Sequence, residues 1–343
     1  HPEPSRGQIS MLGLIMLLLA ACDGNGGGGA EAPQPPAAPS PPSSVVTLTP
    51  FVTIGPIRHD YAMWDSAITV NGRPADFEEL QFGGEIGVIQ GARRYKDGQL
   101  DSWYISTVDV RHLVIGPVES IDTDPTRLTR MGQTVIVIGG TVVSDVPVSA
   151  GGLEGVQPGD ALAVSGFLTA SGELVATRID RRTSGREVLL RGLVAASDPA
   201  VSRFRVGGLD VYYGQADIDL QDFPNGAPAV GDQVLLRANA APTDALLDAS
   251  AVALVPRTLG AEMNADVELT GAITRFGSST DFDVAGVTVS LDCAGAGCGV
   301  DPELLRANAL VRVYGKSDAN GGVRAGSIVL LAYGDVLLTG PAI

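Results

Sequence analysis

Four copies of one strand order fill most of this 343-residue chain, and an internal repeat decides the architecture before any single segment does. Each copy opens on an apolar, Gly-centred run: VTIGPI (52–57), LVIGPV (113–118), VLLRGLV (188–194) and VELTGAI (267–273). A second run turns at Gly in the clearer copies, ITVNG (68–72), FRVGGLDV (204–211) and FDVAGVTV (282–289), with the looser GQTVIVIGG (132–140) in the second. A third run alternates: GEIGVIQGA (84–92), GDALAVSGF (159–167), GDQVLLRAN (231–239) and NALVRVYGK (308–316). A turn and a last run close the copy, as in SGELVATRI (171–179). Short Val/Ile/Leu runs cut by Gly, Asn-Gly and Asp-Gly, with no sustained 3.6-residue period, predict an all-β chain.

The opening glycines Gly55, Gly116, Gly192 and Gly271 lie 61, 76 and 79 residues apart, room for about five strands per copy. Five strands in that length suit a small closed barrel of OB type, which leaves no exposed sheet edge. The expectation is therefore a row of separate five-stranded OB-like β-barrels at 51–110, 111–186, 187–262 and 263–333, with 334–343 (VLLTGPAI at its end) starting a truncated fifth copy. A single large sandwich or a β-solenoid sharing its core between copies is the alternative.

The N-terminal part of the chain, before Phe51, reads differently. Met11–Ala21 (MLGLIMLLLAA) is an apolar run of eleven, too short for a membrane-spanning helix and of the length of a signal-peptide core. It ends in Leu19-Ala20-Ala21-Cys22, which resembles the lipobox of bacterial lipoproteins, where the Cys thiol carries the lipid. That resemblance implies a signal peptide over 1–21 and lipidation at Cys22. The stretch from Asp23 to Pro50 holds five Gly and seven Pro, so 22–50 is expected to be a disordered linker. The absence of an initiating Met, with Arg6 upstream of the apolar run, suggests a reading frame incomplete at that end. The expected location is the bacterial cell envelope, anchored by lipid and facing the periplasm or the cell surface.

The repeat order V-x-L-x-G-x-I, F-x-V-x-G, G-D-x-V-x-V-x-G, G-x-L-x-A-x-x-I is similar to a bacterial domain-of-unknown-function family of tandem OB-like β-barrels found in envelope lipoproteins. GDALAVSGFLTASGELVATRI (159–179) and FRVGGLDV (204–211) carry the likeness best. The motif consists of structural glycines and core aliphatics, so the resemblance implies fold and address and brings no catalytic residue.

Charge narrows the partners. With 39 acidic against 23 basic residues the net charge is -16, which disfavours nucleic acid and anionic membrane surfaces. The expected partners are the membrane, through the N-terminal lipid, and an envelope glycan or protein. No cofactor is expected, and no catalytic set with recognisable spacing occurs. His59 and His112 read as surface or strand-end residues. Cys293 and Cys298 (DCAGAGC) form an even pair in an exported chain and are expected to be disulfide-bonded. Asp217, Asp219 and Asp222 (DIDLQD) are the calcium candidate, read more simply as solvated loop charge. Trp64, Trp103, Tyr104 and Tyr95, beside Arg93 and Arg94, form an aromatic patch of the kind that stacks on sugars or extended chains, or else fills the first copy's core. The expected function is a non-enzymatic binding or scaffolding module. The alternative is a carbohydrate-active or other hydrolytic envelope enzyme whose acids are gathered from different copies.

Overall fold

The computed structural model describes residues 43–331 apart from 48–50, 55–56, 61–65, 82–85, 97–98, 123–125, 145–152, 154, 183–186 and 292–297; for 43–60 and 91–104 it describes the backbone alone. The signal-peptide segment, Cys22, most of the linker and 334–343 lie outside the described residues. Residues 39–343 cluster as one compact unit.

The described residues are β-strands joined by turns and short 3-10 segments. Copy 1 contains β1 (Ser43–Thr47), β2 (Phe51–Ile54), β3 (Ile57–Asp60), β4 (Ala67–Val70), β5 (Arg73–Pro74), β6 (Ile86–Lys96) and β7 (Gln99–Val110). Copy 2 contains β8 (Val114–Pro117), β9 (Ser120–Ile121), β10 (Arg127–Arg130), β11 (Gln133–Ser144), β12 (Ala161–Leu168) and β13 (Leu174–Arg181). Copy 3 contains β14 (Val188–Asp198), β15 (Arg203–Val206), β16 (Leu209–Tyr212), β17 (Gln233–Ala238), β18 (Leu246–Asp248) and β19 (Ala251–Leu254). Copy 4 contains β20 (Asp266–Ser278), β21 (Asp281–Val284), β22 (Val287–Leu291), β23 (Leu310–Ser317) and β24 (Val323–Leu331).

The expectation of separate small OB-like barrels is corrected by the pairing of these strands. They form a 10-stranded and a 12-stranded sheet that cross copy boundaries, plus the β2–β3 ribbon, and the array reads as stacked coils of a β-solenoid. Copies 2 and 3 join through their opening strands, β8 against β14, with Leu189 opposite Ile115 and Leu190 opposite Val114. Copies 1 and 4 join through β1, which runs antiparallel to β6 and parallel to β20. The cores follow the sheets. One cluster unites copies 2 and 3, from Leu113 to Val252, and a second unites Ile86 and Val88 of copy 1 with copy 4.

The physical reason lies in the opening strands. Val267–Thr274 of β20 are buried without a break, and so are Val188–Gly192 of β14. A strand covered on both faces cannot be the half-wet wall of an isolated barrel; its free edge is satisfied by another copy. Each fully covered aliphatic contributes roughly 1.5–3 kcal/mol, which favours the shared core over several small ones.

Two further corrections concern copy 1. The strand at 43–47 lies inside the span read as linker, and it takes the place beside β6 that β8, β14 and β20 take beside β12, β17 and β23. The run at 52–57, read as the opening strand, contributes instead to the β2–β3 ribbon.

The Gly-centred second runs are tight hairpins. Asn71-Gly72, Met131-Gly132 and Ala285-Gly286 all have positive φ at both positions (53°/79°, 47°/64°, 50°/82°), the two-residue loop whose twist matches its strands. The opening glycines of three copies let these hairpins dock: a Cβ at Gly116 would lie 2.7 Å from Met131 Sδ, one at Gly271 2.7 Å from Ala285 Cβ, and one at Gly192 would strike Val206.

Candidate functional site

Where copy 1 hands over to copies 2 and 3, the hairpin at Asn71 closes on the chain at 110–112. The Asn71 amide donates to the Val110 carbonyl (2.8 Å), and the His112 amide donates to Asn71 Oδ1 (2.9 Å). With Oδ1 fixed, the carboxamide nitrogen faces His112 Nδ1 at 2.9 Å. An amide nitrogen only donates, so Nδ1 accepts and the imidazole is neutral, its proton on Nε2. The reading of His112 as a surface or strand-end residue is thereby corrected: it is 1% exposed. Burial, then the nearby Arg182, pushes its pKa down to about 4, with Arg191 and Arg130 acting in the same direction and Asp180 against it.

This pairing carries a pH prediction. The unfolded imidazole takes up a proton near pH 6.5 and the folded one near 4, so stability is full above about 6.5 and falls as pH drops through that window. The expected loss, integrated to pH 4, is about 3 kcal/mol. Urea denaturation at pH 7.5 and 4.5 checks it: a His112→Gln chain should lose about 2.5 kcal/mol less than wild type between the two pH values.

His112 borders a cleft of about 490 Å³ lined also by Val70, Glu78, Gln81, Asp180 and Arg181, beside one of about 220 Å³ lined by Asn71, Arg73, Arg182 and Glu187. Their charges are largely matched from within. Asp180 accepts from Arg178 Nε at 2.9 Å through both oxygens, and Ser144 donates to it. Glu187 pairs with Arg237 (2.8 Å) and Arg73 (3.3 Å), Arg181 pairs with Asp160 (2.8 Å), and Glu79 accepts from the Asp76 amide (3.0 Å). Acids of different copies do meet in these clefts. Asp180, Glu187 and Glu79 already have structural partners there.

The residues singled out from the sequence are distributed as follows. Asp217, Asp219 and Asp222 are all exposed. Asp219 caps a 3-10 turn by accepting from the Gln221 amide, and among the described residues no three His, Cys, Asp or Glu converge on a cation position. In the β6–β7 ribbon the backbone sets Arg93 opposite Trp103, Ala92 opposite Tyr104, Arg94 opposite Ser102 and Tyr95 opposite Leu100. Trp64 and Cys293 lie outside the described residues, and Cys298 is buried. The residues missed from sequence are Asn71, His112 and Arg191. Only the Asn-Gly pair at 71–72 carried a local signal, and it signals a turn rather than a partner far along the chain.

Fold and seams together define a tandem-repeat, all-β solenoid. The family model described as "Domain of unknown function (DUF5666)" matches residues 115–180 and 270–329, most of copies 2 and 4. Among solved structures, drosophila Unr CSD456 aligns at 15% identity, covering 58% of this chain and 85% of that one, with a TM-score of 0.18. No curated protein matches the chain.

Proposed function

We propose that this chain is a lipid-anchored protein of the bacterial cell envelope whose four-copy array is a non-enzymatic binding or scaffolding module. The observation that carries the reading is the fusion of the copies through β1–β20 and β8–β14, which makes a single broad body suited to presenting surfaces. The internally matched charges of the seam clefts support the same reading, because most of their carboxylates hold the array together. The run ending in Ala21-Cys22 supports the anchor, and the Gly/Pro-rich stretch after it supports a tether.

Two finer proposals accompany it. Cys293 and Cys298 form a disulfide, supported by the burial of Cys298 and its bonded state; so short a loop contributes about 2 kcal/mol. The ligand is an envelope glycan held at Trp103 and Arg93, supported by their positions opposite each other on the two-stranded ribbon.

The test uses the full chain in a bacterial host fed labelled palmitate. Wild type should take up label and fractionate with membrane, and Cys22→Ser should lose both. An unlabelled wild-type chain refutes the anchor. The released Cys22→Ser chain should then co-sediment with insoluble envelope polysaccharide without shortening it; release of soluble sugar fragments would instead establish a hydrolase.

A further inference from the structure

All four copies meet at one small cavity of about 70 Å³. Ile86 reaches it from copy 1, Phe167 from copy 2, Arg191 and Gln233 from copy 3, and Val287 from copy 4; Arg111, at the start of copy 2, also lines it. Most of this wall is aliphatic or aromatic, yet it contains Arg191, a residue 8% exposed. Arg191 Nε donates to the His112 carbonyl at 3.2 Å. Among the described residues the two terminal nitrogens of Arg191 have no hydrogen-bond or ion-pair partner. Asp109, the acid that acts on it, is taken by Arg111 at 2.6 Å. Arg237, also close, is engaged by Glu187 at 2.8 Å.

A second unpartnered side chain, Gln233, lines the same space. Gln233 Oε1 is fully buried with no partner, and its carboxamide lies against Gly286, where a Cβ would come within 3.3 Å of Gln233 Cδ. Oε1 is turned onto Gly286, and Nε2 has no hydrogen-bond partner among the described residues, so the cavity can offer two donor groups, one of them cationic. A buried cation whose nearby acid is already paired with Arg111 and an amide without a partner are each costly, and both costs fall on the same wall. The volume admits one or two water-sized bodies, so it excludes sugars and nucleotides.

From this geometry we infer that the four-copy junction is a binding site for one small monovalent anion of the halide or formate class, held by the free guanidinium edge of Arg191 and the carboxamide of Gln233. The electrostatics agree. Burial and then the neighbouring Arg111 push the Arg191 pKa down to about 10, with Asp109 opposing and Arg237 reinforcing, so the group remains charged at neutral pH in surroundings short of negative charge. Because the anion touches wall residues from several copies, it acts as a pin for the array and stabilises the folded chain by mass action.

Bromide is the probe. Crystals of the full chain soaked in sodium bromide should show an anomalous peak between Arg191 and Gln233. In solution, bromide, chloride and formate should each raise the melting temperature in a saturable way at constant ionic strength, relative to gluconate, which is too large to enter. Arg191→Lys keeps a positive charge but loses the forked donor, and it should weaken the apparent affinity about tenfold. Gln233→Leu should weaken it without removing it. No bromide peak in the cavity while surface arginines collect peaks, or a melting temperature that follows ionic strength alone, overturns the assignment. The wild-type crystal decides the question even if Arg191→Lys fails to fold.

Discussion

A Gly166→Ala chain should lose about 3 kcal/mol of stability or fail to fold, while Gly139→Ala should stay within about 1 kcal/mol of wild type. Gly166 sits in β12 at a bulge, where the register against β13 shifts between Ser165 and Gly166. A Cβ there would strike the Val175 carbonyl oxygen and lie 2.9 Å from Val175 C and 3.0 Å from Ala176 Cα. All three atoms are backbone of a central strand, and Leu174, Val175, Ala176 and Ile179 are 0% exposed, so relief requires moving a strand locked on both faces. Copy 4 repeats the arrangement. β23 is bulged at Tyr314/Gly315, and a Cβ on Gly315 would lie 2.9 Å from Arg324 C and 3.0 Å from Ala325 Cα. Copy 3 supplies the counter-example, with Ala238 at the matching place and no bulge between β17 and β19. At Gly139 a Cβ meets nothing within 4 Å. Chemical denaturation of Gly166→Ala, Gly315→Ala and Gly139→Ala checks all three. A Gly166→Ala chain as stable as the Gly139→Ala chain contradicts the bulge argument.

The second large effect is electrostatic. Asp180→Ala should cost about 3 kcal/mol, and the double change Arg178→Met with Asp180→Leu should recover most of that loss. Arg178 and Asp180 are 8% and 14% exposed and lie 2.8 Å apart at their closest, with Nε reaching both carboxylate oxygens at 2.9 Å. Arg178 Nη2 also reaches Gln81 Oε1 at 3.4 Å, so the pair ties copy 2 to copy 1. Removing the carboxylate takes from Arg178, itself 8% exposed, the acceptor that holds its Nε through both oxygens. Removing both charges and filling the space with apolar side chains strands no charge and takes a partner only from the neutral Ser144 hydroxyl and Gln81 carboxamide. The comparison of single and double variants by urea denaturation separates the two cases; equal losses would mean that packing around Asp180, and not charge, holds the seam.

The all-β character, the order of the strands and the hairpin positions were legible because they depend on neighbours in sequence. Val/Ile/Leu runs extend and Asn71-Gly72 turns whatever lies elsewhere in the chain. The burial of His112 was not legible, since it depends on the Asn71 carboxamide, which belongs to another copy and comes near only in the folded chain. Nor was β1: Ser43–Thr47 stands between prolines with no intrinsic mark of a strand, and it is ordered by two edges, β6 and β20, supplied from far along the chain. One sign of the shared architecture was present all the same. LVIGPV and VLLRGLV scarcely alternate, and a strand that does not alternate is covered on both faces.

What the sequence alone determined is thus the repeat, its strand order, and the places where only glycine or a tight turn fits, all set by local sterics and side-chain size. Whether the copies would close on themselves or run together was decided in tertiary structure. The backbone groups of β8, β14 and β20 can be satisfied by any neighbour, and burial of the opening strands on both faces favours the arrangement in which each copy completes another.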